Sequence, residues 1–237
     1  MAQYEAARER TFTSPELAAE RVTAFLRSVY GWMAAGLGIT AVTAGLVASS
    51  PTLSMAIVQN RILFWGLVIA QLGIVFVLSG RVHTLAASTA SALFIVYSAL
   101  TGVTLSFILF VYTGQSIATT FIVTAGMFGA LAMYGTFTSR SLAGWGQFLF
   151  MGLIGVVLAS IVGIFWQSTA LQFVITFAGV IVFTGLTAYD ANRLRAMAMS
   201  MPQGQVGSYA IVGALTLYLD FINLFLMLLR IFGDRRR

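Results

Sequence analysis

The stretch that decides the fold is Ser208 to Phe232, SYAIVGALTLYLDFINLFLMLLRIF. As a helix rising about 1.5 Å per residue it is longer than a hydrocarbon core of about 30 Å. It nonetheless carries a carboxylate, Asp220, near its middle. An ionised Asp at that depth costs roughly 2.5–3.5 kcal/mol on insertion scales, so Asp220 should face protein or water rather than lipid. Helical spacing agrees. Gly213, Thr216, Asp220, Asn223 and Met227 recur at steps of three or four and fall on one face, while Leu, Phe and Ile cover the other. A helix with one small and polar stripe, and lipid-like residues elsewhere, belongs at the centre of a bundle.

The rest of the chain is of the same kind. Of its 237 residues, 59% are hydrophobic and only 8% charged, far below the roughly 25% charged residues of soluble domains. This predicts an all-α, multi-pass membrane protein of one compact domain. The net charge of +6 rests entirely on arginine, because lysine is absent. The arginines lie in the tails and short loops, so they report membrane orientation and point to no nucleic-acid partner. With no cysteine, disulfides, thiolate metal sites and cysteine nucleophiles are excluded. The first 23 residues are charged and polar. The apolar segment after them is longer than a signal-peptide core of roughly 7–15 residues, which predicts no cleaved leader.

Seven hydrophobic segments follow, at about 24–48, 62–80, 85–112, 116–137, 145–166, 169–189 and 207–232. The breaks between them are short: Ser49-Ser50-Pro51, Ser79-Gly80-Arg81, Thr113-Gly114, Ser139-Arg140, Gln167-Ser168 and Pro202-Gln203-Gly204. Connections of this length make neighbouring helices antiparallel. The expected organisation is an N-terminal tail over 1–23, a seven-helix domain over 24–233 and a basic tail over 234–237. Ser14-Pro15-Glu16 has the chemistry of a helix start, with Ser as cap and Pro at the first helical position. Leu17 to Arg27 is expected to run from there into the first span. Stripes of small residues, Ala34-Gly38-Ala41-Gly45 and Gly152-Gly155-Ala159-Gly163, let helix backbones approach closely. They are a packing signal and carry no chemistry.

Arginine orients the bundle. With a cytoplasmic N-terminus and seven spans, the inside carries Arg8, Arg10, Arg21, Arg27, Arg81, Arg140, Arg193 and Arg195. Arg61 lies outside, and so do Arg230 and Arg235 to Arg237. The loops obey the positive-inside rule and the C-terminal tail does not. Either the last segment spans despite its charged end, or it turns back. Its length favours a full span.

The hydrophobic body holds only two acidic residues, Asp190 and Asp220. Ionisable residues inside a membrane are functional candidates by default. Asp190 closes the sixth span in LTAYDANRLR, with Thr187 one turn before it. By itself Asp190 reads as an interfacial carboxylate paired with Arg193 or Arg195. Asp220 has no cation within a helical turn, so it is protonated or finds its partner on another helix. The sixth and seventh helices are antiparallel neighbours, and the two carboxylates differ in depth by about 6 Å at 1.5 Å per residue. Tilt, or an unwound start near Pro202 and Gly204, would bring them together. Two carboxylates sharing one low-dielectric site cannot both ionise freely, so the pair would hold one proton between them. That arrangement is a pH sensor, a proton relay or a cation site. Arg81, ending the second span, would lie on the same membrane side as Asp190 as a candidate latch. Thr216 and Asn223 are candidate supporting polar groups, Asn223 through a hydrogen bond to Asp220. His83 is the only histidine, which argues against a metal-hydrolase site. The tyrosines and tryptophans read as belt and packing residues.

Two segments carry a family resemblance. LTAYDANRLR, residues 186–195, resembles the end of the sixth helix in the Bax inhibitor family of transmembrane proteins, in its bacterial branch. ALTLYLDFINLFLMLLRIFG, residues 214–233, resembles that family's C-terminal signature closely. The resemblance covers nearly the whole chain and is strongest over about 185–233. It implies seven helices with the last surrounded by the other six. It also implies that Asp190 and Asp220 correspond to the family's paired aspartates, which are linked to pH-dependent calcium leak. By position, Arg81 resembles the arginine that latches the closed state onto the sixth-helix aspartate. Two departures stand out. Arg81 is followed by Val82 and His83 instead of a denser basic cluster, and the 197–207 connection is longer than in the calcium-leak member. In this it is similar to branches not defined by transport activity, some of which are tied to membrane-protease regulation. The family name does not imply control of cell death.

Three functions are then weighed. The leading one is a pH-sensitive cation leak in a bacterial inner membrane, with Asp190 and Asp220 as sensor and gate. Calcium, which takes carboxylate oxygens, would be the transient permeant ion, and no cofactor or catalytic residue is expected. The alternative is a non-enzymatic partner of a membrane protease complex, a reading that rests on analogy. The third is an intramembrane aspartyl protease working through a shared-proton dyad. Those enzymes place their second aspartate after G-x-G, whereas Asp220 follows Leu217-Tyr218-Leu219, and their P-A-L element is absent, so this reading is disfavoured.

Overall fold

In the computed structural model the described residues are 15–166, 168–200 and 206–236. They form nine helices: α1 (Pro15–Ser49), α2 (Pro51–Gln59), α3 (Arg61–Gly80), α4 (Ala87–Leu105), α5 (Ile108–Val111), α6 (Gly114–Phe137), α7 (Ala143–Phe165), α8 (Thr169–Ser200) and α9 (Val206–Phe232). Seven spans, formed by α1, α3, α4 with α5, α6, α7, α8 and α9, are long and apolar enough to cross a membrane. Ile62 is 86% exposed, Phe165 85% and Phe76 75%. An outer surface this apolar needs lipid, not water, as its solvent.

The breaks work as helix starts because their polar side chains cap orphan backbone donors. Leu53 N–H donates to Ser50 Oγ at 3.4 Å, with Pro51 at the first helical position. Leu63 N–H donates to Asn60 Oδ1 at 3.0 Å, and Ser116 N–H to Thr113 Oγ1 at 3.3 Å. Three boundaries depart from the hydropathy reading. The segment 51–59, expected as a connection, is the short helix α2. The third span ends its first helix at Leu105 and resumes as the single turn α5. The sixth continues to Ser200, because the polar run after Asp190 stays helical once past the apolar stretch. The helix expected to start at Pro15 does so, and α1 runs unbroken from there into the first span. Ser14, the expected cap, lies outside the described residues.

The last helix is the most enclosed. Of its apolar stretch 72% is buried, against at most 33% for any other span and 6% for α3. It packs against α1, α4, α6 and α8, and lightly against α3, while α7 rests chiefly on α8. Both of its faces are buried. Gly213 and Asp220 are covered, and so are Leu217, Leu224, Phe225 and Leu229 from the leucine- and phenylalanine-rich side. Tyr218 is fully buried with the rings of Phe94 and Tyr97 edge-on to it at 5.8 Å each.

The C-terminal tail is fastened to the α5–α6 connection. Thr113 N–H donates to Asp234 O at 3.0 Å, Arg236 N–H to Val111 O at 2.9 Å, and Asp234 N–H to Ser116 Oγ at 2.9 Å. Gly233 permits this approach, because a Cβ there would lie 2.6 Å from the Tyr112 ring. The last helix therefore spans fully, and its end lies at the face opposite the start of α1. The alternative in which it turns back is excluded by its unbroken run from Val206 to Phe232.

Candidate functional site

Asp190 and Asp220 meet. Their carboxyl groups are within side-chain hydrogen-bonding contact across the α8–α9 interface. A hydrogen bond between two carboxyls requires a proton on one of them. Burial sets the stakes: Asp190 is 7% exposed and Asp220 4%. Asp220 Oδ2 has no hydrogen-bond partner among the described residues.

A cavity of about 390 Å³ leads to this pair from the face where α3 and α8 end and α9 begins. Its polar wall is Ser79, His83, Asp190, Arg193, Tyr209 and Thr216. Asp190 lines it and Asp220 lies behind Asp190. Arg193, one turn along α8, brings its positive charge to Asp190. His83 Nδ1 and the Tyr209 hydroxyl are hydrogen-bonded at the rim. Beyond Asp220, towards the opposite face, α9 is closed by buried Phe221, Leu224, Phe225 and Leu228. The cavity ends at Asp190, with Asp220 behind it.

The other expected residues are distributed as follows. Thr187 is fully buried and donates to Phe183 O at 2.8 Å. Thr216 lines the cavity and donates to Val212 O at 3.1 Å. Asn223, expected to bond Asp220, donates instead to Leu219 O at 2.8 Å in its own helix. Arg81, the candidate latch, is not brought to Asp190. It is exposed and outside the cavity lining. The cause is local. Arg81 N–H closes α3 on Val77 O, and Arg81 O accepts from Thr84 N and Leu85 N, so the chain turns there and carries His83 over the cavity.

Two features escaped the sequence reading. Asn192 ties α8 to both ends of the α6–α7 turn, its Nδ2 donating to Gly135 O at 3.0 Å and its Oδ1 accepting from Leu142 N at 3.3 Å. Its place inside LTAYDANRLR was the only available signal. On the far side of α9, the Tyr218 hydroxyl meets Thr40 Oγ1 at 2.6 Å, and Thr40 Oγ1 donates to Ser98 O of α4 at 2.9 Å. Thr101 Oγ1 lies 3.4 Å from Gln71 Oε1. Together these contacts join α1, α3, α4 and α9. Lone Thr and Gln residues in apolar runs give no hint of them.

Known proteins share this sequence over most of its length. The family model described as "Inhibitor of apoptosis-promoting Bax1" matches residues 22–237. The chain is similar to the inner membrane protein YbhL of Escherichia coli (strain K12), 53% identical over 215 residues that cover 90% of this chain and 92% of that protein. It is also similar to uncharacterized proteins of Borreliella burgdorferi, 44% identical with 90% and 92% covered, and Deinococcus radiodurans, 43% identical with 91% and 93% covered.

Proposed function

This chain belongs to the Bax inhibitor family of transmembrane proteins, and we propose that it acts as a pH-sensitive cation leak, with calcium as the first candidate ion, in a bacterial inner membrane. The observation that carries this reading is the contact of Asp190 with Asp220 at the closed end of a polar cavity. While one proton is shared, the pair holds α8 and α9 together. Removing it leaves two carboxylates face to face in a site of low dielectric, where like charges repel strongly. A cation or a separation of helices relieves that repulsion. The least buried span, α3, borders the cavity through Ser79 and is the element with the least packing to lose on moving. Among the described residues no group of three or more His, Asp or Glu side chains gathers. Calcium in this proposal is a passing ion met by the carboxylate oxygens of Asp190 and Asp220.

The test is calcium flux into dye-loaded proteoliposomes across a pH series, for the parent and for Asp190→Asn and Asp220→Asn. Asparagine keeps the shape and cannot titrate. The expected result is pH-dependent flux in the parent that loses its pH dependence in both variants. No flux above empty vesicles at any pH overturns the leak and turns attention to a role as partner of a membrane protease complex.

A further inference from the structure

A cavity larger than the one at the aspartates lies elsewhere in the bundle. It is a groove of about 930 Å³ between α1 and α6, backed by Phe221 of α9. Both α1 and α6 pack on α8 and α9, and the space between them opens sideways, where the lipid lies. Its wall is ordered by depth. Towards the start of α1, next to a rim of Ala19, Val22 and Thr23, stand Arg27 and Arg195. One turn deeper are two hydroxyls, Tyr30 and Thr136, 3.4 Å apart. Below them the wall is apolar, through Met33, Leu37, Ala132 and Phe128. Positive charge, then hydroxyls, then hydrocarbon is the complement of a phospholipid read from phosphate through ester to acyl chain.

We infer that this groove is a binding site for one anionic phospholipid, its phosphate on Arg27 and Arg195 and an acyl chain between α1 and α6. Basic pockets between spans at one membrane face hold anionic headgroups in this way. The guanidinium fork suits phosphate. The two arginines are available in different degrees. Arg195 Nη1 donates to Thr138 O at 3.1 Å, which fixes it at the rim and leaves its other donors. Arg27 is exposed and has no hydrogen-bond partner among the described residues. The volume lies near the top of the roughly 300–1,000 Å³ range of small-molecule clefts. The inference is independent of the leak reading, because neither aspartate lines the groove.

Two variants separate headgroup from chain. Arg27→Gln removes a charge without breaking an internal bond. Gly129→Leu fills the groove, since a Cβ at Gly129 meets nothing within 4 Å. The measurement is native mass spectrometry of the full chain released from micelles doped with phosphatidylglycerol or with phosphatidylcholine of the same acyl chains. Monodisperse elution on size exclusion checks the fold of each variant. The parent should retain one phosphatidylglycerol in preference to phosphatidylcholine. Arg27→Gln should weaken phosphatidylglycerol retention roughly tenfold, and Gly129→Leu should reduce retention of both lipids. Equal retention of the two lipids by the parent, or a preference unchanged in Arg27→Gln, reduces the groove to ordinary lipid contact and overturns the inference. A lipid-free dimer with its contact in this groove, lost in Gly129→Leu, overturns it too.

Discussion

Gly135→Ala adds one methyl group where α6 crosses α8. The new Cβ would run into the Ala188 carbonyl oxygen and lie 2.9 Å from Ala188 C and 3.1 Å from its Cα, whereas ordinary contact begins at 3.4 Å. These are backbone atoms, so no rotamer relieves the clash and the two helices must move apart. Moving apart stretches the 3.0 Å hydrogen bond from Asn192 Nδ2 to Gly135 O. Overpacking of this kind costs about 1–3 kcal/mol, and weakening the hydrogen bond adds about 1 kcal/mol. At roughly 2–4 °C per kcal/mol for a domain of this size, the melting midpoint should fall by roughly 5–15 °C. Gly126→Ala, on the same helix, meets nothing within 4 Å and should stay within roughly 2 °C of the parent. The assay is thermal unfolding in detergent followed by the fluorescence of the four tryptophans. Ala188 precedes Asp190 by half a turn, so the same displacement shifts the carboxyl pair and should change flux as well as stability. If Gly135→Ala melts with Gly126→Ala, close packing of α6 on α8 is not what positions Asp190, and the argument fails.

Two further predictions rest on separate parts of the bundle. Thr40→Val removes the 2.6 Å partner of the buried Tyr218 hydroxyl and should cost about 1–3 kcal/mol, whereas Tyr218→Phe should cost about 0.5–1.5 kcal/mol. The difference arises because Thr40 Oγ1 still reaches the carbonyls of Gly36 and Ser98. The double variant should lose less than the sum in the same melting assay, and strict additivity would show that the hydroxyls do not interact. Arg140→Cys and Arg235→Cys introduce single exposed thiols into a chain without cysteine, at opposite ends of α6. A membrane-impermeant maleimide on intact cells should label Arg235→Cys and reach Arg140→Cys only after lysis; labelling of both before lysis contradicts seven spans.

The spans were legible because hydropathy over some 20 residues reports membrane crossing directly. Which side of each span meets protein was less so. The leucine- and phenylalanine-rich face of α9 has the composition of a lipid-facing surface, yet Leu217, Leu224 and Leu229 are buried. Hydrocarbon lipid and a protein interior are equally apolar, so periodicity cannot tell them apart inside a bilayer. The polar contacts of Gln71, Thr101 and Thr40 were invisible for a related reason. A lone Thr in a span satisfies itself on its own helix, as Thr187 does on Phe183 O and Thr124 on Thr120 O. Its sequence context is then the same whether or not another helix is near. The place of Arg81 relative to Asp190 depends on the capping turn after Gly80, which hydropathy does not resolve.

Charge is the exception, and it is why Asp190 and Asp220 could be paired from sequence. Lipid and protein interior differ sharply in what they offer a carboxyl group: one gives nothing, the other can give a donor or a shared proton. The apolar body contains two such groups and no third. Asp190 has Arg193 beside it, while Asp220 has no cation on its own helix. The one unsatisfied carboxyl therefore required a partner from a neighbouring span, and α8, the antiparallel neighbour that precedes it in the chain, carries the only other carboxyl at membrane depth. The contact follows from scarcity as much as from the family motif, and so does its consequence: replacing either aspartate leaves its mate with no equivalent group to turn to.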